Sequence, residues 1–143
     1  MTYKLAMFKP GFGLRNLSPF CLKIEMLLSS LEINYESIEV MNPRKAPKGK
    51  LPYLIIDGEK ISDSELIFER LNTMTQGKLY AGLTPEEKAT GVAFSRLAED
   101  HLYWMGVASR WLDGKWYPNI VDGFSDLSLD CFAASLRIVL ARL

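Results

Sequence analysis

Leu17-Ser18-Pro19-Phe20-Cys21, answered about thirty residues later by Leu51-Pro52-Tyr53 and then by Asp63-Ser64, is the part of the chain whose reading decides the fold. Ser18 is a strong N-cap and Pro19 suits the first helical position, where its missing N–H is not needed. Phe20, Ile24, Leu27, Leu28 and Leu31 then recur along one face of a helix. Upstream, Tyr3 to Phe8 reads as a strand, and Pro10 to Asn16 as a loop. Downstream, Tyr35 to Val40 reads as a second strand. The run from Pro43 to Lys50 is too rich in proline and charge for a strand or a long helix. Tyr53 to Ile56 and Glu59 to Ile61 flank Asp57-Gly58, a strong signal for a tight hairpin. Ser62-Asp63-Ser64-Glu65 has the form of a capping box and opens a helix expected to bury Ile67, Leu71 and Met74. The order is β-α-β, a connector, then β-β-α.

Residues 76–84 read as a polar linker, and the pattern beyond is helical. Thr84, Pro85 and Glu87 make a second helix start, and the periodicity predicts one helix running to about Leu112, with His101 packed on its apolar face. Another helix is expected after Ser128, burying Leu129, Phe132, Leu136, Leu140 and Leu143. The sequence thus divides into an α/β domain over 1–75, a linker over 76–84 and a short all-α domain over 85–143.

The 143 residues carry 17 basic and 17 acidic side chains, so the net charge is zero, and 48% of positions are apolar. Nucleic-acid binding rests on clustered basic residues and is not expected. No apolar run has the roughly 20 uncharged residues that a membrane span needs, and no leader peptide is apparent. Two cysteines, Cys21 and Cys131, are too few for a disulfide framework, so a reducing, cytoplasmic setting is expected. No set of residues has metal-ligand spacing.

Four blocks in order carry a resemblance: Leu17-Ser18-Pro19-Phe20-Cys21-Leu22-Lys23, Ala46-Pro47-Lys48-Gly49-Lys50-Leu51-Pro52-Tyr53, Ile61-Ser62-Asp63-Ser64-Glu65 and His101-Leu102-Tyr103-Trp104. Over about residues 1–112 the chain resembles the glutathione S-transferase superfamily, most closely its metaxin-like, failed-axon-connections branch. The resemblance implies a thioredoxin-like βαβ-ββα domain followed by helices, with glutathione as ligand or co-substrate. The chain departs from the pattern after the linker, where the helical region expected here is shorter than the superfamily usually carries.

The resemblance puts Ser18 where serine classes of the superfamily place the hydroxyl that donates to the cysteinyl sulfur of glutathione. A thiol with an ordinary pKa of about 8.5 needs such a donor to ionise near neutrality. Cys21 falls at the second position of what would be a C-x-x-C pair. It is either a thiol open to mixed-disulfide chemistry or a small buried hydrophobe. The resemblance implies that Pro52 follows a cis peptide bond, with Leu51 meeting the cysteinyl backbone of glutathione. It further implies that Asp63 and Ser64 hold the γ-glutamyl end, and Lys50 is a candidate for the glycine carboxylate. Two functions follow: a glutathione transferase acting on small electrophiles, or a non-catalytic interaction module of the same fold. Self-association, a homodimer in the first instance, is expected because two helices do not suffice to bury Phe94, Trp104 and Trp111.

Overall fold

The computed structural model describes residues 1–123; the helix expected after Ser128 lies outside the described residues. Four strands form one mixed sheet: β1 (Tyr3–Met7), β2 (Glu36–Glu39), β3 (Tyr53–Ile56) and β4 (Glu59–Ser62), in the spatial order β2-β1-β3-β4. β1 and β2 are parallel and joined by α1 (Pro19–Ser30), whereas β1–β3 and β3–β4 pair antiparallel. The β3–β4 turn is made by Asp57 and Gly58, both at positive φ, the twist that a two-residue hairpin demands.

α1 and α2 (Ser64–Met74) pack on the same face of the sheet. Leu5 and Met7 of β1, Leu54 and Ile56 of β3, Ile24, Leu27 and Leu28 of α1, and Ile67 and Leu71 of α2 form one buried cluster. Alternation along the strands and a helical stripe on each helix put them there. Each fully buried Leu or Ile contributes about 1.5–3 kcal/mol, which makes this layer the main source of stability. The proline-rich connector forms two short 3₁₀ turns, Pro43–Lys45 and Pro47–Gly49.

Three expectations need correction. The cap of α2 is Asp63, whose side chain accepts from the Glu65 amide; Ser62 ends β4, paired with Tyr53 and buried, so it makes no capping box. The long helix is also not uniform. Thr84 and Glu87 do form a capping box at the start of α3 (Pro85–Leu97), but a π-helical turn at Ala98–Leu102 separates it from α4 (Tyr103–Leu112). His101 lies on that turn and is exposed rather than packed in a core. A last described helix, α5, covers Tyr117–Gly123.

The helical part meets the sheet part through a few specific contacts. Lys23 of α1 reaches Glu65 of α2 at 3.1 Å and Glu99 of the π turn at 2.7 Å, and Arg96 of α3 binds the same two carboxylates at 2.7 and 2.8 Å. Burial lowers the Lys23 pKa, but the bonds to Glu99 and Glu65 outweigh it, and the ammonium ends above its ordinary value. Tyr103 stacks edge-on to Phe20, with ring centres 4.9 Å apart, and Arg110 donates to the Leu17 carbonyl at 3.5 Å. Phe94, Leu97, Leu102, Trp104 and Met105 remain exposed.

Candidate functional site

The strand register brings the three marked segments to one end of the sheet. Ala6 of β1 pairs with Tyr53, and Tyr53 pairs with Ser62. β1 therefore leaves, β3 enters and β4 leaves at the same edge. Ser18 follows the loop from β1, Leu51-Pro52 leads into β3, and Asp63-Ser64 follows β4 into α2.

Ser18 caps α1 with extended backbone angles (φ −101°, ψ 123°), and its hydroxyl accepts from the Cys21 amide at a long 3.4 Å. It is partly exposed. A weakly engaged hydroxyl at the positive end of a twelve-residue helix suits the stabilisation of a nearby anion. Cys21 is completely buried in the core cluster. Burial pushes its thiol up to about 11, although the Ser18 hydroxyl and the Phe8 backbone pull it the other way. A neutral, enclosed thiol is a packing group at physiological pH.

The Leu51–Pro52 peptide is cis. Leu51 is half-buried against the core, Pro52 is buried, and Lys50 is exposed just ahead of them. Asp63 takes a positive φ of 84° that a non-glycine residue seldom adopts, and it is exposed, whereas Ser64 is buried at the first position of α2. That conformation turns the end of β4 directly into α2, so the helix start stands at the sheet edge next to β3.

Sequence reasoning missed several contributors. Asn16 is fully buried; its Nδ2 donates to the Phe8 carbonyl and its Oδ1 accepts from the Ser18 amide at 3.0 Å. Glu25 of α1 is also buried, and its Oε1 accepts from the Tyr35 hydroxyl at 2.9 Å and from the Arg15 guanidinium. That guanidinium sits above its ordinary pKa because of the hydrogen bond and charge of Glu25. The Asn16 bond to the Ser18 amide, two residues on, has the local form of an Asx turn; the bonds to Phe8, Arg15 and Tyr35 span eight to ten residues and have no such signature.

Two hollows flank the loop. One, of about 330 Å³, lies at the β2 edge against Arg15, Glu25, Tyr35 and Ser37. The smaller, about 160 Å³, is lined by Phe12, Leu14, Leu17, Arg110 and Ile120, and so begins one residue before Ser18. Phe12 and Gly13, both at positive φ, form a tight turn closed by Gly11 and Leu14, which holds this wall in place. Neither lining includes Ser18, Leu51, Pro52, Asp63 or Ser64; the smaller hollow comes nearest along the chain, at Leu17. Among the described residues, no group of three His, Cys, Asp or Glu side chains is placed to hold a metal, and no helix is long and apolar enough to cross a membrane.

With this geometry in view, the comparisons with known proteins are direct. The glutathione S-transferase N-terminal domain family matches residues 19–116, more than half of the chain. The chain belongs to the glutathione S-transferase superfamily, in its failed-axon-connections-like branch. Isoprene-epoxide--glutathione S-transferase of Rhodococcus sp. (strain AD45) is 34% identical across 90% of this chain. Failed axon connections of Drosophila melanogaster is 32% identical across 78% of it. The chain spans 60% and 26% of these two relatives' lengths. Among solved structures, a Methylobacterium radiotolerans glutathione S-transferase in complex with glutathione sulfonate aligns over 87% of this chain and 63% of its own, with a TM-score of 0.61 and 17% identity. Ure2p in complex with glutathione aligns over 94% and 61%, with a TM-score of 0.58 and 18% identity. At such identities the likeness concerns the fold: a thioredoxin-like α/β unit followed by helices.

Proposed function

We propose that this chain binds glutathione at the sheet edge where Ser18, Leu51-Pro52 and Asp63-Ser64 meet, and that it conjugates the whole tripeptide, through its sulfur, to a small electrophile. The observation that carries this reading is the convergence of those three segments through one strand register. Leu51 lends its backbone to the cysteinyl residue in the manner of an added strand. The start of α2, with Ser64, receives the γ-glutamyl carboxylate, and the Asp63 carboxylate faces the ammonium. Lys50, exposed beside Leu51, takes the glycine carboxylate. Ser18 donates its hydroxyl proton as a hydrogen bond to the sulfur. The S–H proton leaves to solvent, and the thiolate attacks the electrophilic carbon of a substrate seated in the apolar hollow beside Leu17 and Arg110; the C–S bond forms as that carbon's bond to its leaving atom breaks, and the displaced group takes a proton from solvent. Cys21 takes no part, since its thiol is enclosed and neutral. The chemistry proposed for the chain is that of a reducing cytoplasm.

A second reading, a non-catalytic interaction module, is favoured by the exposed apolar faces of α3 and α4. We also propose self-association across those faces; a monomer at micromolar concentration in sedimentation overturns it.

Calorimetric titration with glutathione tests the first reading. Binding with thermal stabilisation is expected, and no heat at millimolar ligand overturns it. Ser18→Ala should then lower the conjugation rate with affinity nearly unchanged. Asp63→Asn keeps an oxygen for the Glu65 amide but loses the charge, so affinity should fall about tenfold at constant Tm. An unchanged rate removes Ser18 from the chemistry, and an unchanged affinity removes Asp63 from the site.

A further inference from the structure

We propose that Asn16 is a positioning residue for Ser18: its buried carboxamide braces the exit of β1 against the cap of α1, and so sets where the Ser18 hydroxyl points. This rests on the reading of Ser18 as the hydroxyl that polarises a bound thiol.

Asn16 is the one large polar side chain among the fully buried residues that are described. It spends both halves of its amide on backbone groups that have no regular secondary-structure partner near the site. The NH₂ group donates to the Phe8 carbonyl just beyond β1, and the carbonyl oxygen accepts from the Ser18 amide at 3.0 Å. Only one orientation of the amide satisfies both, because the Phe8 carbonyl cannot donate and the Ser18 N–H cannot accept. Residues 9–15 between them are half-buried or exposed, so packing reaches Ser18 only through its buried neighbour Leu17. Its own bond from the Cys21 amide is long, at 3.4 Å, and anchors it poorly. Meanwhile the Phe8 backbone also meets the Cys21 thiol, so strand exit, brace and first helical turn form one connected unit.

The residue type follows from this geometry. Asp offers acceptors only and would set a carboxylate against the Phe8 carbonyl. Leu has nearly the same shape but would strand a buried carbonyl and a buried amide. Arg15 next door is tied to Glu25 and holds the outside of the same loop, whereas Asn16 reaches the Ser18 amide.

The test compares wild type, Asn16→Ala and Asn16→Asp by thiolate absorbance of bound glutathione against pH, with calorimetry alongside. In both variants the bound thiol's pKa should rise by about one unit toward that of free glutathione, while Kd changes less than about threefold. Folded variants with the wild-type thiol pKa overturn the proposal. Two measurements need no ligand, so they separate this proposal from the glutathione reading. A crystal structure of Asn16→Ala should show Ser18 Oγ displaced from the Cys21 amide, and an unmoved Ser18 overturns the brace. If neither variant folds, hydrogen exchange at the wild-type Ser18 amide decides: protection of about 100-fold over an unstructured amide supports the brace, and free exchange defeats it.

Discussion

Raising the pH from 7 to 10 should destabilise this protein through Cys21 by an amount that can be worked out. The thiol's ordinary pKa is 9.0, and its folded-state value is about 11, raised chiefly by burial. A group with a raised folded pKa contributes its full stability below the unfolded value and loses it as pH climbs toward the folded one. Between pH 9 and 11 the unfolded chain has released this proton while the folded chain still holds it. At pH 10 the loss is about 1.4 kcal/mol, a tenfold shift in the unfolding constant. The assay is urea denaturation at pH 7 and pH 10 in a Cys131→Ser background, with and without Cys21→Ala. Tyr35 and Tyr103, whose pKa values are also raised by burial, titrate alike in both proteins and cancel. The alanine variant should be uniformly weaker but less pH-sensitive, by about 1.4 kcal/mol over this interval. Ellman's reagent gives the companion measurement. At pH 8 the thiolate fraction in the folded chain is about 100-fold below that of an unfolded thiol, and modification should slow at least as much. Equal pH sensitivity of the two proteins, or modification at the unfolded rate, would refute the reasoning.

Two further outcomes concern the charged clusters. Glu65→Gln removes one of the two carboxylates shared by Lys23 and Arg96, and should cost about 1 kcal/mol at low salt and clearly less in roughly 1 M NaCl, by urea midpoints; a cost independent of salt argues against an ionic origin. Arg15→Ala should destabilise more than Glu25→Gln, by thermal melts, because it leaves a buried carboxylate with the Tyr35 hydroxyl but without its cation; the reverse order would show that Glu25 does not depend on Arg15.

Local chemistry explains what was legible in the chain. Ser18-Pro19 starts α1, Asp57-Gly58 makes the hairpin and Thr84 with Glu87 caps α3, each within four residues of sequence. Where two local solutions competed, reading failed. Ser62 and Asp63 both suit a cap, and the sheet claimed Ser62 because Tyr53 needed a partner. The periodicity through Phe94, Leu97 and His101 continues as if the helix were regular, so it hides the π turn. The candidate site was legible as residue types but not as a geometry. Its convergence comes from the β1–β3–β4 register, and Arg110 reaches the Leu17 carbonyl from 93 residues away; Asn16 shows in the sequence only as an Asx turn onto Ser18, two residues on, which does not reveal its second bond to Phe8.

The wide turn at Ala98–Leu102 has a consequence for how the lower helices aim. Each residue advances an α-helix by about 100°, so a single residue added to or removed from this turn rotates everything after it by that angle. Taking one out would swing Tyr103 off Phe20 and carry Arg110 away from the Leu17 carbonyl. The orientation of the wall beside Ser18 is thereby encoded in the length of a five-residue segment. Changes in chain length there re-aim Arg110 more directly than any exchange of side chains.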